Sequence, residues 1–484
     1  MSTSIAPVSH RRQLGHLLRA VVKVICVSDA PDYDQPWQTQ GSINSVGSGV
    51  IVETSRGLRV LTNAHCVANH VFVELRRYGK AQKVVATVEA IGHECDLALL
   101  EVEDEEFFGN TAPIAIGELP RLGDRVSVCG YPIGGERLSI TEGIVSRIDL
   151  VCYAQSNREL LAVQIDAAIN AGNSGGPVLK DGRLVGVAFQ ALDEGEQIGY
   201  MIAPPVVEHF LKDLEDGNAD GFPALGVTTQ QLESMAHRRQ LGLAEDQPGG
   251  VLVKRVAHGG SADGVLEPGD VLLAVDGVPV SADGTVELRP SELVHYRYFV
   301  SKRHVGERVP MTVWRQRQEV TCVLDLRPPA YLVAEERYDV RPSYYIAGGL
   351  LFVPLTRDFL KTWGDQWWQS APRDLVALYE SGVTTSERTE PVVLQKVLAH
   401  RVNQGYHDLD SLLVDACYGV PVRSLAHLIE LIETRVDEPY LELQTSDGTM
   451  VVLDRADALG RDKGILRKYG VRHDRSEDLR GDED

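Results

Sequence analysis

The sequence predicts a mainly β protein: two packed β-barrels closed by a helix, followed by two smaller α+β units. Three observations predict it. Short Val-rich runs recur between Gly, Asp, Asn and Pro, as strands recur between tight turns. Before residue 215 these runs fall into two sets of about six, enough to close two barrels. The layout of one later unit then returns weakly in the next.

In the first set, Gly47–Val52 runs into a turn at Ser55-Arg56-Gly57 and is followed by Leu58–Thr62, Val71–Leu75, Val84–Ile91 and Leu97–Val102. The second set is Arg125–Cys129, Ser139–Ile148, Leu160–Ile165, Gly176–Leu179 and Leu184–Ala188. Pro204–Leu214 reads as the closing helix, since proline is tolerated in a first turn. This first domain is expected over residues 1–215. Asp216–Gly221 is turn-rich and predicts a linker. A unit over 222–328 follows, built around Gly250–Val256 and Leu266–Gly277 and ended by Pro328-Pro329. The third unit, over 335–456, repeats it: Val392–Leu398 parallels Val251–Val256, and Leu413–Val422 parallels Leu273–Val280. Apolar spacing at Leu425, Leu428, Ile429 and Ile432 predicts a helix over Ser424–Val436. The charged stretch 461–484 reads as a mobile tail.

The 484 residues are 43% hydrophobic and 24% charged, ordinary for globular protein. A net charge of −21 repels a phosphate backbone, so nucleic acid is not an expected partner. The longest apolar stretch, Tyr344–Leu355, is too short to span a bilayer. The first residues carry no secretory pattern. Seven cysteines at wide spacing, without a CxxC pair, fit free thiols in a reducing compartment. A soluble intracellular protein, in the cytoplasm first, is the expectation. His93, Cys95 and Asp96 lie close together, but a short strand turns neighbouring side chains to opposite faces, so no metal site and no cofactor are expected.

The chemistry sits in three strings: Leu61-Thr62-Asn63-Ala64-His65-Cys66-Val67, Cys95-Asp96-Leu97-Ala98-Leu99-Leu100, and Ala171-Gly172-Asn173-Ser174-Gly175-Gly176-Pro177. The order His, Asp, Ser is one of those used by nucleophilic hydrolases. A serine hydroxyl needs a base, and His65 is the candidate. Asp96 would fix its tautomer. Asp104 and Asp124 compete for the acid's role but stand in polar or turn contexts. Gly172, Gly175 and Gly176 let the backbone bend so that the N–H groups of Gly172, Asn173 and Ser174 face inward as an oxyanion hole.

With these strings in view, the chain resembles the Do-like (HtrA/Deg) serine proteases of the chymotrypsin class. Thr62-Asn63-Ala64-His65, Asp96–Leu100, Gly130-Tyr131-Pro132, Ile165–Asn170 and Gly172–Pro177 carry the resemblance. Gly92–Asp96, Gly130–Gly135 and Pro342–Tyr345 resemble the plant-type branch that lacks a secretion signal. The resemblance implies a chymotrypsin-like double β-barrel protease domain followed by two PDZ-like α+β domains. It implies His65, Asp96 and Ser174 as the triad, and a primary specificity pocket near Ile169, Phe189 and Gln190 that suits a small or medium aliphatic side chain. It also implies assembly as a trimer or a multiple of trimers, and mobile activation loops at Tyr153–Glu159 and Leu192–Gln197.

PDZ domains add an extended peptide as a strand and capture its carboxylate on backbone amides. Leu225-Gly226-Val227 and Gly349-Leu350-Leu351 are the candidate loops. The segment Asp283–His304, with Tyr296, Tyr298 and Phe299, stands where a short groove helix is expected, and reads as packing against another domain. The function expected is ATP-independent endoproteolysis of unfolded or damaged protein, consistent with the absence of a Gly-Lys-Ser/Thr phosphate loop. The alternative is a latent chaperone or scaffold that uses the PDZ-like units alone.

Overall fold

The computed structural model describes residues 15, 17–132, 135, 137–191, 199–244 and 249–480, apart from the side chains of 105, 190 and 191. The first barrel consists of β1 (Val21–Ser28), β2 (Ile43–Thr54), β3 (Gly57–Thr62), β4 (His70–Arg77), β5 (Lys83–Gly92) and β6 (Leu97–Glu101). It closes in the order β1-β2-β3-β6-β5-β4. The second consists of β7 (Arg125–Gly130), β8 (Ser139–Cys152), β9 (Glu159–Ile165), β10 (Pro177–Lys180), β11 (Arg183–Ala191) and β12 (Gly199–Ile202), closed in the order β10-β11-β12-β9-β8-β7. Closure leaves no strand edge unpaired, so the branched residues that favour strands can all turn one face inward. Val22, Ile51, Val60, Leu75 and Leu100 share one buried face in the first barrel, and Val128, Leu161, Val163, Ile165, Val178 and Met201 share one in the second. Helix α1 (Pro204–Asp213) follows β12 with proline in its first turn and buries Val206, Val207 and Phe210.

The chain divides into two compact units. The first comprises residues 1–29, 42–256 and 260–329; the second comprises 30–41, 257–259 and 330–484. The first unit therefore includes, beside the barrels, a sheet of β13 (Val227–Gln231), β14 (Val251–Val256), β15 (Val271–Val275), β16 (Val278–Pro279), β19 (Arg308–Arg315) and β20 (Gln318–Asp325), with β13 at its edge. The Asp283–His304 segment forms a hairpin, β17 (Thr285–Arg289) and β18 (Glu292–His295), and then a short helix at Tyr298–Ser301. It does pack on the barrels. Arg289 donates to the carbonyls of Leu119 and Pro120, and Arg297 pairs with Glu159. Tyr296 is fully buried, with its hydroxyl 3.2 Å from that of Thr229 on β13.

The second unit holds β21 (Tyr345–Ala347), β22 (Leu350–Pro354), β23 (Val392–Val397), β24 (Asp410–Cys417), β25 (Val420–Pro421), β26 (Tyr440–Thr445) and β27 (Met450–Asp454). The repeat holds at strand level. β14, β15 and β16 recur as β23, β24 and β25, each long strand turning through a glycine of positive φ, Gly277 or Gly419, into a two-residue partner. Helix α2 (Leu425–Thr434) begins where the spacing predicts, capped by Ser424, whose hydroxyl accepts from the His427 amide. Residues 30–41 belong to this unit: Lys396 pairs with Asp34 at 2.7 Å, and Gln395 donates to the carbonyls of Tyr33 and Asp34.

The stretch read as a mobile tail is folded as far as residue 480. Helix α3 (Asp462–Tyr469) buries Ile465 and Leu466, Val471 joins the same core, and Ile346 donates to the Asp474 carbonyl. Most of its charges face solvent while its few apolar residues share one face, which composition alone hides. The final four residues lie outside the described ones.

Candidate active site

β3 ends at Thr62, and the chain turns into a short 3-10 helix that carries His65. A second 3-10 turn, His93–Cys95, ends in Asp96, which adopts a left-handed φ of 54° before β6 begins. Asp96 is 1% exposed, and both of its carboxylate oxygens are engaged. One accepts from the backbone N–H of His65 at 2.9 Å, and the other lies 2.7 Å from His65 Nδ1. Asn63 locks the turn by donating to the Asp96 carbonyl at 2.8 Å. Burial disfavours the charged imidazole, but the adjoining Asp96 carboxylate outweighs it and holds the ring's pKa well above the ordinary histidine value. The other two acids are committed elsewhere. Asp124 pairs with Lys180 at 2.6 Å, and Asp104 caps its own turn by accepting from the Glu106 amide.

Ser174 lies in the turn between β9 and β10, on the second barrel. The turn requires its glycines. At Gly175 (φ 80°) a Cβ would lie 2.1 Å from the Ser48 carbonyl oxygen, and at Gly176 2.2 Å from that of Cys129. Among the described residues the Ser174 hydroxyl meets the Phe189 carbonyl, at 3.5 Å, rather than the His65 ring. The N–H groups of Gly172 and Ser174 have no hydrogen-bond partner among the described residues. Asn173 does not join them, contrary to expectation. Its N–H donates to the Asn170 carbonyl at 2.9 Å, closing the turn, and its side chain is buried.

Of the expected specificity residues, Ile169 is half-buried, and its Cδ1 stands 2.7 Å from where a Cβ on Gly199 would be. The Phe189 ring packs on Tyr153, centroids 4.6 Å apart, and is 4% exposed, so this residue brings its carbonyl to the site rather than its side chain. The Gln190 side chain and the loop Leu192–Gln197 lie outside the described residues. The loop Tyr153–Glu159 is tied down at several points. The Tyr153 hydroxyl donates to the Leu161 carbonyl, Ser156 to that of Glu94, and Arg158 to that of Phe222.

The two carboxylate loops differ. Leu225 is buried, its carbonyl accepts from Ala262, and Gly226 has a φ of 71° just before the edge strand β13. Gly349, Leu350 and Leu351 do not form such a loop. Gly348 (φ 59°) and Gly349 (φ 80°) make a two-residue hairpin turn, and Leu350 and Leu351 are fully buried in β22 between β21 and β23. The outer side of β21 is itself covered by a bridge from Tyr345 to Arg475.

Sequence reasoning missed Ser48. Fully buried on β2, it touches Ser174, Gly172 and Tyr131 from the first barrel. Its only sequence signal is its place between Gly47 and Gly49. His209, Asp213 and His304 were missed too; they gather donor atoms within 4.8 Å of one another. The two rings stack at 4.1 Å and 15°, so their in-plane lone pairs run parallel rather than converge, and His209 Nε2 already donates to the Gly221 carbonyl. All seven cysteines are free thiols, and no helix among the described residues is long and apolar enough to cross a membrane.

Comparison with known proteins agrees with this geometry. The trypsin-like peptidase domain family matches residues 47–187, and PDZ domain families match residues 230–287 and 333–478. Protease Do-like 2, chloroplastic, of Arabidopsis thaliana is 40% identical over 96% of this chain and 75% of its own length. Protease Do-like 4, mitochondrial, of the same plant is 38% identical over 94% of this chain and 84% of its own. Among solved structures, an HtrA-type protease, AlgW with decapeptide, is similar at a TM-score of 0.51 and 25% identity, over 66% of this chain and 100% of that one.

Proposed function

The chain belongs to the Do-like (HtrA) family of serine proteases and is a serine endopeptidase, and from that premise we propose that Ser174, His65 and Asp96 are its catalytic triad. The observation that carries the assignment is the pair of bonds from His65 to the two oxygens of one buried carboxylate, across 31 residues of chain. With Nδ1–H held by Asp96, the lone pair on Nε2 is left to take a proton. The reaction requires the Ser174 hydroxyl to leave the Phe189 carbonyl, by rotation about Cα–Cβ, and to reach that nitrogen. The hydroxyl then loses its proton to His65 as Oγ attacks the scissile carbonyl carbon. The N–H groups of Gly172 and Ser174 receive the resulting oxyanion. His65 returns the proton to the leaving amine, and water repeats the sequence on the acyl-enzyme.

The substrate reading is a small or medium aliphatic residue before the scissile bond, supported by Ile169 standing over Gly199. Peptides are the ligand class, as the decapeptide on the AlgW protease suggests. The unit over 222–328 is the proposed peptide reader, with Leu225-Gly226-Val227 leading into a sheet edge. The unit over 335–456 serves assembly rather than ligand capture, since its own chain covers the equivalent place, and the proposed oligomer is a trimer or a multiple of trimers, joined through the protease domain. Unfolded protein is the proposed substrate, without ATP. The seven free thiols support a reducing compartment, and the relatives' names place them in chloroplast or mitochondrion.

Ser174→Ala tests the centre of the reading. It should abolish cleavage of casein and labelling by a serine-directed phosphonate, with the melting temperature kept. Undiminished casein cleavage would reject Ser174 as the nucleophile.

A further inference from the structure

We infer that Ser48 is a positioning residue for the oxyanion hole, a side chain of the first barrel that sets the angle between the two amides of the second. The inference rests on the proposed roles of Gly172 and Ser174. Those two N–H groups belong to peptide planes separated by one other, the plane joining Gly172 to Asn173. Whatever fixes that middle plane fixes the direction of one donor relative to the other.

Both ends of the plane are held. Its N–H donates to Asn170 within the turn. Its carbonyl, that of Gly172, accepts from Ser48 Oγ at 2.7 Å, across 124 residues. Ser48 Oγ is itself fixed, because it accepts from the Tyr131 amide at 2.8 Å. The Ser48 backbone grips the carbonyl two residues on as well: its N–H donates to Ser174 O at 2.8 Å. Thr62 Oγ1 in turn donates to the Ser48 carbonyl at 2.6 Å, and that strand runs on to His65. Gly172, at φ 95°, offers little resistance to rotation of its own. The hydroxyl of Ser48 is thus the side-chain group that keeps the plane from turning, and it lies close against Gly130, where a Cβ would stand 2.9 Å from Ser48 Oγ.

Ser48→Ala removes the hydroxyl and leaves the backbone bond in place. Removing an oxyanion donor outright costs a factor of about 10² to 10³ in kcat; misaligning two of them should cost about tenfold or more. The full-length variant is titrated with a fluorophosphonate so that rates are expressed per active site. The expected result is a kcat lowered about tenfold or more with KM within about twofold. The inhibition constant of a peptide boronate, which mimics the tetrahedral state, should rise in proportion, while that of a cleaved-product peptide stays put. Ser48→Cys, which keeps a weak donor, should fall between wild type and Ala, and it carries the test if the Ala variant does not fold. A kcat per titrated site within twofold of wild type would overturn the inference. So would losses that follow only the melting temperature and the titratable fraction. Either outcome leaves the triad intact, because that reading stands or falls with Ser174→Ala.

Discussion

Asp96→Asn separates what the carboxylate does for His65 from mere burial. The two oxygens of Asp96 receive two N–H groups, the His65 backbone at 2.9 Å and Nδ1 at 2.7 Å. An amide of the same shape has one oxygen and one NH2. If its oxygen faces Nδ1–H, its NH2 meets the backbone N–H, donor against donor. If its oxygen faces the backbone, its NH2 meets Nδ1, which must give up its proton; Nε2 then carries the proton and cannot accept one from Ser174. The second arrangement keeps every hydrogen bond and should win, so kcat should fall by about 10⁴. The charge has a separate effect. The carboxylate lies 2.7 Å from Nδ1 and favours the imidazolium, which raises the ring's pKa against the opposing effect of burial. His65 must be neutral to act, and its folded pKa is raised, so wild-type kcat/KM should fall as pH drops through a midpoint above the ordinary histidine value. In Asp96→Asn only desolvation remains, and the residual activity should keep its plateau to lower pH, with the midpoint moved down. The assay is kcat/KM on a fluorogenic peptide from pH 5 to 10, with phosphonate titration at each pH. An Asn variant within tenfold of wild type, or one with an unmoved midpoint, would refute the reasoning.

Two further outcomes follow from single positions. Gly175→Ala should abolish activity and cost about 2–4 kcal/mol of stability, because its Cβ would meet a backbone carbonyl at 2.1 Å and the Thr62 hydroxyl at 2.3 Å in a buried turn of φ 80°. Gly269→Ala has a similar φ of 103° but open space, and should cost about 1 kcal/mol with kcat unchanged. In the second unit, burial pushes the Asp462 carboxyl, which faces the Gly348 and Gly349 amides, up to about 7. The folded state thus favours the protonated acid, so its contribution is fully present near pH 4 and is lost as pH rises toward 7. Asp462→Asn should therefore stabilise the unit by about 2 kcal/mol at pH 8 and by little at pH 4. Denaturant melts read by tryptophan fluorescence follow this unit, since Trp37, Trp363, Trp367 and Trp368 lie in it. A shift of equal size at both pH values would disprove the assignment.

What could be read from the chain, and what could not, divides by how far apart the interacting groups lie. Barrel strands announce themselves locally, because branched residues between turn formers determine both their existence and their facing. The proposed triad residues stand out for a related reason: each sits near a strand end beside small or turn-forming neighbours, and their order is informative by itself. Asn173 was misplaced because its N–H could face inward or close on Asn170, and only backbone geometry chooses between them. Phe189 was assigned by its ring, whereas strand alternation turns the ring onto Tyr153 and leaves the carbonyl near Ser174. Gly349 illustrates the limit most directly. A glycine before an apolar run suits a carboxylate loop and a two-residue hairpin turn equally well. What decides is whether another segment already occupies the flanking edge, and here Tyr345–Ala347 pairs with β22 while Arg475 bridges to Tyr345 from more than a hundred residues downstream. Ser48 is the same problem at the active site. Its environment is supplied by Tyr131, Gly172 and Ser174, none of them near it in sequence, so a serine between two glycines carries no mark of the carbonyls it holds. Groups that shape a transition state by orienting backbone, rather than by touching substrate, should be the hardest to find in any single sequence, because their chemistry is ordinary and only their partners are not.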